Sequence, residues 1–461
     1  MSEFFMQEKR AIPCIADVDV LVCGGGPAGV AAAISAAREG AKTLLLEGSS
    51  CLGGMSTNGL VNMFTNMGDG IRNVYGGLAD KLVSRMKSYM PHVKEDEWRL
   101  IPIDFERLKL IYDEEVVASG AHVLFQSTVC GVEMKDDRNI DVVLVANKNG
   151  LSAYRAKVFV DCTGDADLYA WAGKDYDFGN GEGDFMPGSM CFTLTNVDEY
   201  FQPYLEQAYG GKHRDMIKKI LADGKYNIPD DHYVLRKIGP RTYTLNAGHV
   251  FDLDATDPQS LSKALIEGRR LARELHDAFK EYAPCMSCSF LVQTSPMMGI
   301  RESRRIIGDY RFTGQDYLDR RSFADEVYRG KYQIDVHTRK NDKGIDENDR
   351  KLKESGVKGD SVARYGRYGE GESYGVPYRC LCPRDLDNVL VAGRTISSDR
   401  VSNGTLRVMS SCLCAGEAAG MAAKHACDLD SINIHNVDTQ KLRRRLIEEG
   451  AYLPKYDTDT F

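Results

Sequence analysis

The chain has 461 residues, of which 43% are hydrophobic and 27% are charged, and its formal net charge is −8 at pH 7. This composition is typical of a folded globular protein and excludes a disordered or collagen-like chain. The negative charge argues against a nucleic-acid-binding protein, because affinity for phosphates comes from clustered Lys and Arg.

No stretch of the sequence approaches the run of about 18 apolar residues that a membrane-spanning helix needs. The N-terminal residues also lack the pattern of a secretory signal. The 13 cysteines are an odd, scattered set, which is typical of free thiols in a reducing compartment. We therefore expect a cytoplasmic protein without a membrane segment.

The first predicted elements form a βαβ unit. A buried strand at residues 18–23 leads into a glycine-rich turn and an alanine-rich helix at residues 30–38, and a second strand at residues 43–46 ends at Glu47. This order within about thirty residues is what a dinucleotide-binding unit requires. The Glu47 carboxylate is placed to accept hydrogen bonds from both hydroxyls of a ribose.

The turn after the first strand contains a GxGxxG motif, filled by Gly24, Gly26 and Gly29. These glycines permit a tight turn, let backbone amides approach a pyrophosphate, and let the helix pack closely on the strand. The helix that begins around Pro27 and Ala28 adds amide donors and a positive dipole. The motif therefore predicts a bound dinucleotide.

Further elements follow along the chain. We predict a helix at residues 108–118 and another, rich in small residues, at residues 411–426. Between them, turn-like clusters separate short predicted strands at residues 123–125, 129–133, 142–146, 154–160 and 389–392.

Additional turns at strand ends favour FAD over NAD. The carboxyl ends of parallel strands meet at one edge of a sheet, so these turns would line a single extended cofactor, although each alone is also compatible with a plain strand-ending turn. The turns contain Gly48, Gly53, Gly54, Met55 and Ser56, then Thr163, Gly164 and Asp165, and finally Gly393 and Arg394.

With these motifs the chain resembles the FAD-dependent oxidoreductases of the glutathione-reductase-like fold, and most of all a bacterial family described only as FAD-dependent oxidoreductases. Its relatives include the heterodisulfide reductase flavin subunit, the fumarate reductase flavoproteins and the GidA-type proteins. The resemblance extends from about residue 17 to 427, and its segments include DVLVCGGGPAGVAAAISAAREGAKTLLLE, CLGGMSTNG, VDCTGDADL, GIRESRRIIGDY and NVLVAGRTISSDRVSNGTLRVMSS.

The resemblance implies an α/β fold: a Rossmann-like FAD-binding domain with a central parallel sheet and a three-stranded antiparallel crossover, and a mixed α+β cap. It also implies that Val129 contacts the cofactor and that Arg407, Val408 and Met409 lie near the isoalloxazine ring. The helix that starts there would stabilise the negative charge of reduced flavin.

The predicted domains follow the changes of composition. Residues 1–175 and 376–430 form the FAD-binding domain. Residues 176–375 form the cap or substrate domain, with a polar insertion at 340–371. Residues 431–461 form a C-terminal helix and tail, which is compatible with packing on a second copy of the chain.

The catalytic candidates are mainly arginines. Arg301, Arg304 and Arg305 would lie on one arc of a helix, where they could hold an anionic substrate or form ion pairs with Glu302 and Asp309. Arg379 has the same two interpretations. Relatives often carry a histidine where this chain has Asp399 and Arg400, so a role of that histidine is either lost or taken by Arg400.

His337 is the candidate acid or base. Strand alternation would place it on one face with Asp335, whose carboxylate could orient the imidazole, although a structural histidine is the alternative. Cys285 and Cys288 form a CxxC pair that leaves a redox disulfide open, but their spacing predicts no metal site. Cys51 lacks the CxxxxC partner of the disulfide reductases.

The sequence thus predicts an FAD-dependent oxidoreductase or dehydrogenase. It would transfer hydride between flavin N5 and a small, anionic organic substrate, with an unidentified electron acceptor. A second GxGxxG motif is absent from the sequence, which argues against a separate NAD(P)H domain. The alternatives are an FAD protein of RNA modification, which the net charge disfavours, and a flavin electron-transfer subunit, for which a ferredoxin-like cysteine run is missing.

Overall fold

The computed structural model describes residues 11–205, 213–337 and 368–454. Most of the predicted polar insertion at 340–371 lies outside these described residues. The α-helices are α1 (Pro27–Arg38), α2 (Leu78–Lys87), α3 (Phe105–Ser119), α4 (Asp167–Trp171), α5 (His213–Asp223), α6 (Pro258–Tyr282), α7 (Gly314–Leu318), α8 (Arg400–Leu406), α9 (Met409–Cys427) and α10 (Thr439–Glu448).

Seventeen strands are found within the same described ranges. They are β1 (Cys14–Cys23), β2 (Thr43–Leu46), β3 (Met63–Thr65), β4 (Leu100–Pro102), β5 (His122–Leu124), β6 (Thr128–Met134), β7 (Ile140–Asn147), β8 (Gly150–Asp161), β9 (Tyr176–Phe178), β10 (Phe192–Thr195), β11 (Tyr233–Gly239), β12 (Thr242–Ala247), β13 (Phe290–Thr294), β14 (Arg304–Ile306), β15 (Glu326–Gly330), β16 (Tyr374–Pro377) and β17 (Val389–Val391).

The central sheet has the order β5-β2-β1-β8-β7-β6, and β17 pairs with β8. β5, β2, β1, β8 and β17 pair in parallel, whereas β8, β7 and β6 pair antiparallel. A parallel sheet buried on both faces needs continuous apolar strands, and all four residues of β2 are buried. The predicted parallel sheet with a three-stranded antiparallel crossover is therefore confirmed.

Two helices rich in small residues, α1 and α9, lie on one face of this sheet and pack on each other at very short range. A Cβ atom added at Gly416 or Gly420 of α9 would overlap the carbonyl oxygen of Ala28 or Ala32 of α1. Only residues without side chains let two helix backbones approach this closely. The contact matters for the site, because it brings the N-termini of α1 and α9 to the same edge of the sheet.

A second hydrophobic core lies in residues Met190 to Met298, where α5 and α6 pack on the antiparallel sheet β11-β12-β10-β13. Isolated bridges join Ser189 to Gly299 and Gly188 to Val250 where this unit begins and ends. Apolar residues in the described parts of the chain beyond residue 311, at 312–334 and 368–376, pack instead with a first core that contains α1 and α9. We propose that the cap is this smaller unit rather than the whole of 176–375.

One buried carboxyl group links α9 to α2. Glu417 is 4% exposed, and its Oε2 accepts a hydrogen bond from the backbone N–H of Leu78, 3.0 Å away, at the start of α2. Burial raises its pKa from an ordinary 4.5 to about 7. Because the raised pKa belongs to the folded state, the protein binds this proton more tightly when folded.

We therefore expect the ionisation of Glu417 to lower the free energy of unfolding as the pH rises. The stabilising contribution of the protonated carboxyl group is intact below pH 4.5 and is lost as the pH passes through 7. The loss is on the order of 3 kcal/mol for a pKa shift of this size. The variant Glu417→Gln keeps the acceptor oxygen, so it should match the parent protein at pH 4.5 and exceed its free energy of unfolding at pH 8.

Denaturant unfolding of both proteins across this pH range measures the difference. The exposed Glu448 of α10 offers a control, because Glu448→Gln should leave the pH dependence unchanged. Parallel pH profiles of the parent and Glu417→Gln would contradict the assignment of a buried, protonated Glu417.

In the described ranges no helix is both long and apolar enough to span a lipid bilayer.

Candidate active site

The glycine turns predicted from the sequence meet at the N-terminus of α1. Gly53 donates its backbone N–H to the carbonyl of Gly25 at 2.8 Å, and a Cβ atom on Gly54 would lie 3.1 Å from Cα of Gly26. A Cβ on Gly393 would lie 3.5 Å from Cβ of Ala28. Three turns that are far apart in sequence therefore border one site.

Gly24 and Gly29 are required by their contacts with other protein atoms. Gly24 has a φ of +98°, and a Cβ there would lie 2.5 Å from the carbonyl oxygen of Cys162, the residue after β8. A Cβ on Gly29 would overlap the carbonyl oxygen of Gly24. These positions let the turn close and let α1 pack against β1 and β8.

Gly26 differs from both, because a Cβ added there would meet no protein atom within 4 Å. It is the N-cap residue of α1, makes no side-chain capping hydrogen bond, and is followed by Pro27. The helix therefore presents its positive end to open space bordered by glycine backbone. This arrangement fits the pyrophosphate of a dinucleotide.

Glu47 borders this open space, which we call the cofactor groove. Its Oε2 accepts the backbone N–H of Gly25 at 2.7 Å and its Oε1 accepts that of Ser49 at 2.6 Å. These bonds fix the carboxylate and leave lone pairs for ribose hydroxyls. Gly48 lies against Thr128, the first residue of β6, which also contains Val129.

The turn after β8 is tied to the turn after β17. Arg394 donates through Nη2 to Asp165 Oδ1 at 2.7 Å, and Ser303 donates its hydroxyl to the same oxygen at 2.6 Å. A Cβ on Gly164 would lie 3.1 Å from the Arg394 guanidinium. Thr163 donates its hydroxyl to Asp161 Oδ1 at 2.7 Å, at the end of β8. The turns that contain Thr163, Gly164, Asp165, Gly393 and Arg394 thus form one connected edge of the site.

A cavity of about 1060 Å³ opens where α9 begins. Val408 is the N-cap residue of α9 and Met409 its first residue. The cavity wall contains seven residues that the sequence singled out. They are Met55, Arg301, Asp335, His337, Arg407, Val408 and Met409.

The family model described as FAD dependent oxidoreductase matches residues 19–446 of this chain. The chain belongs to that family of FAD-dependent oxidoreductases. The match covers the glycine turns, both cores and the helix that begins at the cavity, so FAD is the cofactor of this enzyme. The cofactor groove at the start of α1 fits FAD on steric and electrostatic grounds.

Solved structures with a similar fold are distant in sequence. A geranylgeranyl bacteriochlorophyll reductase-like protein from Thermoplasma acidophilum is 14% identical, with a TM-score of 0.44 over 95% of this chain and 84% of that one. A p-nitrophenol 4-monooxygenase from Pseudomonas putida is 12% identical, with a TM-score of 0.43 over 94% and 84% of the two chains. No curated protein matches.

Arg301 of this FAD-dependent oxidoreductase lies in the cavity wall. Its side chain is buried, and its Nη1 donates to the carbonyl of Pro187 at 2.5 Å and to the hydroxyl of Ser189 at 3.1 Å. Within the described part of the chain it forms no ion pair. Burial and the nearby Arg407 lower its pKa to about 10, so the guanidinium stays charged at neutral pH.

The predicted helix through the arginine cluster was wrong. Arg304 lies instead in strand β14, which pairs antiparallel with β9, so the guanidiniums diverge. Arg304 pairs with Asp167 at 2.8 Å, and Arg305 donates to the carbonyl of Gly179 and lies 3.5 Å from Glu302. Of the cluster, only Arg301 reaches the cavity.

Arg379 and Arg400 were predicted as catalytic candidates, but the structure places both away from this cavity. Arg379 forms a bidentate pair with Asp325, with nitrogen–oxygen distances of 2.9 and 3.1 Å. Arg400 donates to Glu302 at 2.9 Å and lines a separate cavity of about 230 Å³. This geometry supports the structural alternative for Arg379, and it gives no support for a role of Arg400 taken over from the histidine of the relatives.

Asp335 and His337 do meet, although they lie in an irregular segment and not in a strand as predicted. His337 Nε2 is 3.1 Å from Asp335 Oδ2, and Arg407 donates to the Asp335 carbonyl at 2.8 Å. Burial and Arg301 lower the pKa of His337 to about 4. Burial acts to raise the pKa of Asp335, but His337 and the two guanidiniums hold it well below its ordinary range.

Sequence reasoning missed two histidines beside His337. His232 directly precedes β11 and His249 follows β12 by two residues, and the pairing of these strands stacks the two rings with centroids 4.3 Å apart. The available signal was the hairpin itself, because two strands joined by a short turn bring its flanking residues together.

The cysteines contribute little to this site. Cys285 is buried and Cys288 is exposed, and both are free thiols, so the structure gives no support for a disulfide relay. Cys51 donates its thiol to Asn58 and lies outside the cavity wall.

Proposed function

We propose that this FAD-dependent oxidoreductase transfers hydride between FAD and a small organic substrate that carries a carboxylate, within the 1060 Å³ cavity. When bound, FAD accepts or donates a hydride at N5 of its isoalloxazine ring. We place the ring against Val408 and Met409, where the N-terminus of α9 adds positive potential.

The proposal depends mainly on Arg301, which is buried and has no carboxylate partner in the described part of the chain. A buried guanidinium in a protein normally meets a carboxylate, because an unpaired buried charge is costly. In the described part of the chain Arg301 contacts a carbonyl, a hydroxyl and a histidine nitrogen 3.5 Å away, but no carboxylate. A carboxylate of the substrate would complete this set with bidentate hydrogen bonds.

Lys331 supports the same conclusion from another part of the cavity wall. Its ammonium donates to the carbonyls of Asp69 and Gly369 at 2.8 and 2.9 Å. Both of these partners are uncharged oxygens. Two cations of the cavity wall, Arg301 and Lys331, thus have no carboxylate partner among the described residues. The half-buried Asp335, in contrast, is already paired with Arg407 and His337.

The test is a screen of the purified holoenzyme in the absence of oxygen. Small hydroxy acids and saturated carboxylic acids are mixed with oxidised enzyme, and unsaturated acids with enzyme reduced by dithionite. We expect one class of acid either to bleach the flavin absorption of the oxidised enzyme or to restore that of the reduced enzyme, at about 450 nm. The methyl ester of the same acid should react at least tenfold more slowly, because it cannot pair with Arg301. Equal rates for acid and ester would contradict the anionic-substrate proposal.

A further inference from the structure

Three histidines form a compact group beside the cavity. One ring nitrogen of each of His232, His249 and His337 lies within 4.8 Å of one ring nitrogen of the other two. The His337 ring stands edge-on to both stacked rings, with centroids 5.4 and 5.0 Å from theirs. His232 and His337 line the cavity itself.

Each of the three imidazoles has one nitrogen next to an oxygen that can only accept a hydrogen bond. These contacts are His249 Nδ1 with Asp230 Oδ2 at 2.6 Å, His337 Nε2 with Asp335 Oδ2 at 3.1 Å, and His232 Nε2 with Asn246 Oδ1 at 3.2 Å. On His249 and His337 the carboxylate therefore holds the proton of the neutral ring on that nitrogen, and the other nitrogen keeps its lone pair. His232 Nε2 also lies 3.5 Å from Nη2 of Arg301, which can only donate, so either nitrogen of this ring can carry the lone pair.

The best-defined of these lone pairs is on His249 Nε2, which is buried and has no hydrogen-bond partner in the described part of the chain. A buried polar atom left without a partner is costly and calls for an explanation. Histidine ligands of metals characteristically donate their second nitrogen to a carboxylate or carbonyl oxygen, which fixes the ring for coordination. Asp230, Asp335 and Asn246 supply that arrangement.

We propose that His232, His249 and His337 bind one divalent transition-metal ion, of the kind that prefers imidazole, with Zn²⁺ as the reference ion. In a tetrahedral site, zinc–nitrogen bonds of about 2.1 Å place the ligand nitrogens about 3.4 Å apart, so the rings must draw together on binding. Three protein ligands leave a coordination position open toward the cavity, as in catalytic metal sites.

The charges around the cluster are compatible with a cation. Asp230 and Asp335 lie directly behind two of the rings. The nearest guanidinium, Arg301, approaches His232 at Nε2, 3.5 Å away.

This inference uses the cavity of the proposed function but not its hydride chemistry. An oxygen of the substrate would occupy the open coordination position while its carboxylate binds Arg301. The assignment replaces the acid–base role that the sequence suggested for His337 with a role as metal ligand.

The experiment is equilibrium dialysis of the FAD-loaded enzyme against Zn²⁺ after chelator treatment, with bound metal measured by atomic absorption. We expect one tightly bound Zn²⁺ per chain, and at least a hundredfold weaker binding for His249→Ala. Asp230→Asn should weaken binding by about 10- to 100-fold, as loss of an orienting partner does. His276→Ala, which removes another buried histidine outside the cluster, should leave Zn²⁺ binding intact.

Metal content is measured without any substrate, whereas the proposed function is tested by the flavin spectrum. The inference and the proposed function can therefore fail independently of each other. Absence of stoichiometric Zn²⁺ binding by the parent enzyme would overturn the inference, as would equal binding by the parent and Asp230→Asn. If His249→Ala does not fold, Asp230→Asn decides the result.

Discussion

Replacing Arg301 with methionine is expected to weaken the binding of the substrate carboxylate to the oxidised holoenzyme by about 100-fold. The estimate follows from hydrogen bonds to charged groups, which contribute about 1.5–3 kcal/mol. Methionine fills most of the same buried volume but offers no donor. The measurement is a titration of the flavin spectrum with the acid identified in the anaerobic screen.

The matched control is Arg379→Met. Arg379 pairs with Asp325 outside the cavity, so this variant should bind the acid as the parent does. The methyl ester provides a second control, because its affinity should be the same for the parent and for Arg301→Met. An unchanged affinity of Arg301→Met for every carboxylate would contradict the assignment of Arg301 as the anion-binding residue.

The second large effect is expected at Gly26. A valine there meets no protein atom within 4 Å of its Cβ position, and the φ of −67° is one that any residue adopts. The folded protein should therefore tolerate the side chain, but the pyrophosphate of FAD should not. We expect Gly26→Val to purify as a folded protein whose FAD content, read from the visible absorption, is more than tenfold lower.

Two other glycines sharpen this test. Gly239 also has no protein atom within 4 Å of an added Cβ but lies in β11 of the cap, so Gly239→Val should keep its FAD. Gly29→Ala would overlap the carbonyl of Gly24, so we expect that variant to lose the fold together with the cofactor. Full FAD content in Gly26→Val would contradict the placement of the pyrophosphate at the start of α1.

The cofactor groove could be predicted from the sequence because its determinants are local. The apolar run before Gly24, the small residues of α1 and the acid at Glu47 lie within one βαβ unit, and the structure places them as that unit requires. The later turns at Gly164 and Gly393 followed from a single rule, that parallel strands end at a common edge.

The catalytic residues could not be predicted in this way, because their environment is set by tertiary contacts. The spacing of Arg301, Arg304 and Arg305 fits a helix, but pairing of β14 with β9 imposed an extended chain and separated the side chains. Arg400 turned toward Glu302, a neighbour 98 positions away in sequence. Local periodicity carries no information about such partners.

The histidine cluster shows the same limit. His337 and Asp335 were paired correctly for the wrong reason, since the segment is irregular and not a strand. His232 and His249 flank the paired strands β11 and β12, and they reach His337 through tertiary packing that local periodicity does not encode.

We propose that one cavity holds the flavin ring beside a substrate anion. The most direct measurement is a crystal structure of the holoenzyme with the bound acid. We expect the ring against Val408 and Met409, and a carboxylate oxygen about 3 Å from an Arg301 guanidinium nitrogen. An acid bound elsewhere, with Arg301 still contacting only Pro187 and Ser189, would contradict the account.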